Sequence, residues 1–391
     1  MSYAATTMNL RSRILAVLNY EKFDRIPLVH FGFWHETLLK WAKEGHLDED
    51  IARNWGDGNG ADAQISEILG FDGNYYSTFS PNTWIKPGFE SKVIKTLDDG
   101  SKHLFNHEGV VILVKEGTNS IPAEIDYTLK GRDDWEREYK HRFTWDEERL
   151  TNTRVRIGTT TVPFTEGGLE QLKNEDRDEW IGLDCGSLFG RIRNILGVEN
   201  SAYLYSDDEE LFDEIVKTSA DLCYRGVEEA LATGAKFDFA HFWEDICFKN
   251  GPLISPNVFK EKVGPHYKRI TKLLNEHGIN IISLDCDGLI DHLIPTWLEN
   301  GVNTMFPIEV GTWDASIAPW REKYGKDIRG VGGMNKNVFA RDRSAVDEEV
   351  ARLEKLIRLG GYIPCPDHRI APDAKWDLVQ YYCQKMHKIT F

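Results

Sequence analysis

The sequence predicts an α/β protein, a (β/α)8 barrel of the TIM type with a β-rich insertion after its second strand. Three observations predict it. Eight short apolar runs recur along the chain, each closing in polar or glycine residues ahead of a longer helical stretch. Strands that alternate with helices in this way pair in parallel through right-handed crossovers. Helix starts and stops fall in phase with the runs, and 391 residues is a length that an α/β barrel absorbs as one unit. Residues 1–391 are therefore read as a single barrel, with residues 87–143 as a β-rich cap inserted into it.

In order, the strand runs are Arg25–Phe33 (RIPLVHFGF), Ile68–Tyr76 (ILGFDGNYY), Trp180–Leu188 (WIGLDCGSL) and Lys236–Glu244 (KFDFAHFWE). Asn280–Asp287 (NIISLDCD), Val302–Glu309 (VNTMFPIE), Asp327–Met334 (DIRGVGGM) and Gly361–Asp367 (GYIPCPD) complete the set. The helical stretches are Asp207–Thr233, Pro256–His277, Leu289–Asn300, Ala315–Tyr324, Ser344–Leu359 and Ala374–Lys388. Ser255 ahead of Pro256 is an N-cap followed by proline at the first helical position. Gly278, Gly301, Gly325 and Gly360 stand where left-handed backbone closes a helix. Between Pro87 and Phe143, alternating segments flank the turns Asp99-Gly100 and Glu108-Gly109, the pattern of an antiparallel hairpin or meander. Losing it would leave the barrel standing and uncover the site. A doubly wound open sheet is the rival architecture, but no GxGxxG follows the first strand.

Composition narrows the function. Hydrophobic residues make up 41% of the chain, enough apolar mass for a sizeable core. Forty-seven Lys and Arg against 63 Asp and Glu leave a net charge of −16, a field that repels phosphate backbones and anionic lipid. Nucleic acid and membrane surfaces are poor partners on this ground; a small-molecule substrate is the expected one, and an anionic substrate would need a local basic pocket. The six cysteines form no CxxC pair, as expected of reduced thiols in a cytoplasmic protein. Residues 1–25 have an amphipathic rhythm but no signal-peptide pattern, and no run is long enough to span a membrane. A homodimer is the base-rate expectation for assembly.

Barrel chemistry sits at the C-terminal ends of strands, and three such ends carry titratable groups. In Ser283-Leu284-Asp285-Cys286-Asp287-Gly288, alternation puts Asp285 and Asp287 on one face and Cys286 on the other. Two like charges so placed favour a cation or a shared proton between them; the alternative is an N-cap role for Asp287 ahead of Gly288. Glu309 ends the next strand, with pairing to a nearby Arg or Lys as its bland alternative. His368 follows the last strand, where it can ligate a metal or carry a proton near neutral pH, or simply bond to loop backbone. Asp285, Asp287, Glu309 and His368 are thus the candidate catalytic and metal-binding set. His30, Trp34, His241, Trp243 and Glu244, at two further strand ends rich in aromatics, are candidate substrate-binding residues. Gly332-Gly333 permits close approach of a backbone or ligand.

At these motifs the sequence resembles the uroporphyrinogen decarboxylase superfamily. The resemblance runs through LNYEKFDRIPLV near the start, EDICFKNGPLISP, DCDGLIDHLIPTWLENGVNTMFPIEV and GGYIPCPDHRIAPD. It implies a (β/α)8 barrel. True decarboxylases of porphyrinogens follow the Arg25-Ile26-Pro27 entry with an arginine-rich loop that grips carboxylates, whereas Leu28–Trp34 here has no arginine. Desolvating several carboxylates without paired cations is costly, so that substrate does not fit. The other branch, the corrinoid-dependent methyltransferases, holds zinc through a His-x-Cys pair, a final Cys and in some members a Glu. Asp285 and Asp287 fall at the His-x-Cys positions, Glu309 at the Glu and His368 at the final Cys. Each thiolate gives way to oxygen or nitrogen, a set suited to zinc or to a harder divalent metal such as manganese or magnesium, or to metal-free acid/base chemistry. The resemblance implies a methyltransferase or demethylase that moves a methyl group between a small substrate, such as an aromatic methyl ether, and methylcobalamin carried by a corrinoid partner protein. A decarboxylase of a small carboxylated substrate and a non-catalytic binding protein are the alternatives.

Overall fold

The structure, a computed structural model, describes residues 8–115, 122–157 and 159–389. Its strands in chain order are β1 (Val29–His30), β2 (Gly73–Asn74), β3 (Thr78–Phe79), β4 (Lys92–Thr96), β5 (Lys102–Phe105), β6 (Val110–Val114), β7 (Ala123–Tyr127), β8 (Arg154–Ile157) and β9 (Thr160–Pro163). They continue with β10 (Gly182–Asp184), β11 (Phe239–Trp243), β12 (Cys247–Phe248), β13 (Gly251–Pro252), β14 (Ile282–Asp285), β15 (Thr304–Ile308), β16 (Arg329–Met334) and β17 (Tyr362–Pro366). Seven of them form one parallel sheet in the order β3-β10-β11-β14-β15-β16-β17. Each crossover therefore leads to the next neighbour, without the reversal that a doubly wound sheet requires.

The two ends of this series approach each other through the N-terminal strands. β1 pairs with β2 in parallel, and Phe33 forms a parallel bridge with Ile370, just past β17. The protein is an α/β fold with a seven-stranded parallel sheet, consistent with a TIM-like barrel. β14, β15 and β17 are buried along their whole length, as expected of strands covered on both faces.

Helices Glu209–Ala232, Ile317–Tyr324 and Trp376–Met386, and the consecutive helical segments Pro256–Val258, Phe259–Val263 and Gly264–Glu276, lie within the stretches expected to be helical, and Arg343–Ile357 starts one residue ahead of its expected stretch. Asp208 and Asp342 cap two of them by accepting from Leu211 N–H and Ala345 N–H at 2.9 Å each. Gly278, Gly301, Gly325 and Gly360 all take positive φ where these helices end or hand over to strands. Two expectations need correction. Ile68 and Leu69 end the helix Gly60–Leu69, whose apolar face packs inward, so strand pairing starts only at Gly73. In Leu289–Asn300 only Ile294–Glu299 is α-helical, because Pro295 suits a first turn and not a helix interior. The close approach at Gly332 is made by the neighbouring strand: a Cβ there would lie 2.3 Å from Ile308 N.

β4 to β7 form a four-stranded antiparallel meander that leaves the chain after β3. Arg132–Phe143, at the end of the inserted stretch, is helical instead of extended. Buried Arg149 clamps its neck by donating to the carbonyls of Asn82, Trp84, Arg142 and Thr144. Of residues 1–25, the first seven lie outside the described residues; Leu10–Leu18 is a helix capped by Asn9. No helix among the described residues is long and apolar enough to cross a membrane.

Candidate active site

The C-terminal ends of β11, β14, β15 and β17 each deliver an ionisable group. Trp243 on β11 and Asp285 on β14 are register partners, as are Asp285 and Phe306 on β15. Ligand atoms of Asp245, Asp285 and Asp287 all lie within 4.8 Å of one another. Asp245 Oδ1 accepts from Asp287 N–H at 3.1 Å, which ties the end of one strand to the loop after the next. His368 Nε2 stands 3.4 Å from Asp287 Oδ2. Glu309 accepts from Gly288 N–H and, at 2.8 Å, from Thr312 Oγ1, so it braces the turn after Asp287.

Three carboxylates this close cannot all ionise freely. Burial, with Asp287 as the next contribution, pushes Asp245 up to about 6. Asp285 is raised well above the usual range by burial and then by Asp245, Asp287 and Glu309, against the pull of Arg369. Glu309 is raised by burial and by Asp287. Asp287 Oδ1 is buried and has no hydrogen-bond partner among the described residues. A proton shared among the acids or a hard divalent cation would relieve this arrangement, and an all-carboxylate donor set with one orphaned oxygen fits such a cation.

Of the four residues expected to converge, Asp285 and Asp287 meet directly, His368 touches Asp287, and Glu309 supports them from the side. Asp245 joins the cluster and was not singled out from the sequence. Strand alternation could not place it, because β11 ends at Trp243 and Asp245 lies in the turn beyond. Asp245 also has φ +47, a strained conformation for a residue with a Cβ.

The expected substrate-binding residues divide. Trp34 stacks on His368 with ring centroids 5.9 Å apart, and Trp243 sits half-buried 6.5 Å from Trp84. His241 is fully buried, edge-on to Tyr76 at 5.1 Å. His30 and Glu244 do not line the site. His30 accepts from Gly32 N–H at Nδ1 and so donates from Nε2 to Ser66 Oγ at 2.8 Å, which uses both nitrogens. Glu244, also fully buried, accepts from the N–H groups of Leu188, Phe189 and Gly190 and from Ser187 and Tyr267 hydroxyls. It closes the N-terminus of helix Gly190–Leu196. Cys286 faces away from the acids, accepting from Ile246 N–H at 3.4 Å.

Fold and site together define the class: a parallel α/β protein with its ionisable groups gathered at the C-terminal ends of its strands, as barrel enzymes have them. The chain belongs to the uroporphyrinogen decarboxylase (URO-D) family, whose profile matches residues 191–389 and so takes in every member of the acid cluster and His368. No curated protein sequence matches it. Among solved structures, a methyltransferase from Methanosarcina mazei is similar in fold, with a TM-score of 0.58 and 14% identity over 97% of this chain and 98% of that one. A B12-independent methionine synthase from a Shewanella species, in complex with selenomethionine, overlaps at a TM-score of 0.34 and 11% identity, covering 60% of this chain and 71% of its own.

Proposed function

We propose that this chain is a methyltransferase that moves a methyl group between a small substrate, such as an aromatic methyl ether, and methylcobalamin on a corrinoid partner protein. The observation that carries the proposal is the convergence of Asp245, Asp285 and Asp287 beside His368. When a methyl group leaves an ether oxygen, that oxygen keeps the bonding pair and must be neutralised. Carboxyl groups whose protons are held toward neutral pH, as at Asp245 and Asp285, can supply the proton. A divalent ion held by the three aspartates would supply Lewis-acid polarisation of the same oxygen. His368 and Trp34 would orient the substrate. The barrel is read as closed at eight strand stations, and the meander of β4 to β7 as a cap on residues 1–391 taken as one unit.

Support comes from the family match and from a fold shared with a methyltransferase along nearly its full length. The test is to mix the purified chain with a reduced corrinoid protein and a panel of methyl ethers, and to follow methylcobalamin absorbance. Asp287→Ala and His368→Ala should each reduce turnover at least ~100-fold if these groups act in proton transfer or metal binding. Elemental analysis should show stoichiometric metal in the parent protein and its loss in Asp287→Ala if the cluster is a metal site. No methyl transfer across the panel overturns the proposal; carbon dioxide release without corrinoid would put a decarboxylase in its place.

A further inference from the structure

Below the acid cluster lies a layer of polar groups that the protein leaves unsatisfied. His241 has no exposed surface, yet neither ring nitrogen has a hydrogen-bond partner among the described residues. Ser283 Oγ and Tyr75 Oη are buried and unpartnered in the same way. These atoms belong together. His241 on β11 is the register partner of Ser283 on β14, and the Tyr75 hydroxyl lies beside Ser283 without completing a hydrogen bond. Aromatic rings surround the imidazole: Tyr76, between β2 and β3, at 5.1 Å, Phe306 on β15 at 6.0 Å and Phe239 on β11 itself at 6.2 Å. Tyr76 adjoins β3 and Phe306 lies on β15, on opposite sides of β11 in the sheet, so His241 points into the space that the sheet encloses.

We infer that His241, with Ser283 and Tyr75, is the polar floor of the substrate pocket and takes the oxygen of an uncharged planar ring. The inference rests on the proposed function only in treating the acid cluster as the reacting end of the site. Strand geometry sets the depth. Ser283 lies two residues before Asp285, so floor and acids are about 7 Å apart along the strand. That is the span of a single aromatic ring with a substituent at each end. Charge sets the class. Burial alone holds His241 down at about 3, so at neutral pH the ring has one donor and one acceptor and no charge. It can donate to an ether oxygen or accept from a phenol, but it brings no positive charge to offset a buried carboxylate. The acids above repel an anion further.

The experiment measures binding, so it needs neither metal nor corrinoid, and its failure is separate from a failure of methyl transfer. The full chain, labelled with 15N-histidine, is titrated with 4-methoxyphenol, whose oxygens stand at opposite ends of the ring, and, separately, with benzoate. The His241 signals, assigned by their absence from His241→Gln, should shift with 4-methoxyphenol and stay in place with benzoate. Calorimetry should show 4-methoxyphenol binding at least ~10-fold weaker in His241→Phe, with His241→Gln intermediate, because an aromatic replacement keeps the packing and removes the polar atoms. Circular dichroism identifies any variant that fails to fold, and the wild-type titration stands without either. Unmoved His241 signals at saturation, equal affinity in His241→Phe, or no binding of 4-methoxyphenol would each overturn the inference and leave buried water as the partner of these atoms.

Discussion

Glu244 offers the sharpest test of how the site is held. It precedes Asp245 in the chain and binds the three N–H groups at the start of helix Gly190–Leu196, with distances of 2.8 Å to Leu188 N, 2.9 Å to Phe189 N and 2.6 Å to Gly190 N. Replacing it by alanine removes the acceptor from three buried donors and from the hydroxyls of Ser187 and Tyr267. The hydroxyls can rotate toward other acceptors, but the backbone donors cannot. Each buried group left unsatisfied costs roughly 1–3 kcal/mol, and partial relaxation brings the sum for Glu244→Ala to about 3–5 kcal/mol. Burial raises the Glu244 pKa despite the opposing pull of Tyr267 and the three backbone donors. Glutamine keeps the shape and one acceptor oxygen, so Glu244→Gln should cost about 1–2 kcal/mol. Urea unfolding followed by tryptophan fluorescence would show the midpoint falling in that order with an unchanged slope. Both variants within ~0.5 kcal/mol of the parent, combined with lost substrate binding, would refute the structural role and return Glu244 to the pocket.

Other consequences can be measured alongside. Gly288 has φ +86, and a Cβ there would lie 2.6 Å from the Cys247 carbonyl oxygen. Gly288→Ala should therefore lower stability by about 2 kcal/mol in thermal or urea unfolding and displace Asp287. His241 has its folded pKa depressed to about 3 from 6.5. The unfolded chain thus takes up a proton first as pH falls, so this contribution is complete above about 6.5 and declines toward 3. His241→Phe should flatten the stability profile between pH 7 and 4; an unchanged slope would contradict the burial of a neutral ring. Asp24 is held down at about 2 by its hydrogen bond with Arg13. Its contribution is present above pH 3.8 and lost as pH falls through 2. Asp24→Asn should cost roughly 1–2 kcal/mol at pH 6 and nothing measurable near pH 2, checked by urea unfolding at both.

Much of the candidate site was legible because strand alternation is local. The two-residue repeat placed Asp285 and Asp287 together and sent Cys286 the other way, and the position after the last strand placed His368 at the same rim. The same rule misled where a neighbour mattered more than direction. Glu244 and His30 are polar residues at strand ends, as catalytic groups are, yet the N–H groups that claim them come from distant segments or from a local turn. Asp245 was hidden by the left-handed turn that ends β11, whose direction depends on contacts with the loop after β14.

Apolar runs, glycine stops and their regular spacing determined the parallel α/β order, the early antiparallel insertion and the strand ends where carboxylates gather, because periodicity and capping act over a few residues of contiguous chain. Only the folded molecule decided which of those polar groups remained unsatisfied. Hydrogen-bond partners and burial are properties of the whole packing: they tied Glu244 to a helix end, crowded Asp245 against Asp285 and Asp287, and left His241 inside a ring of aromatics with both nitrogens unpartnered.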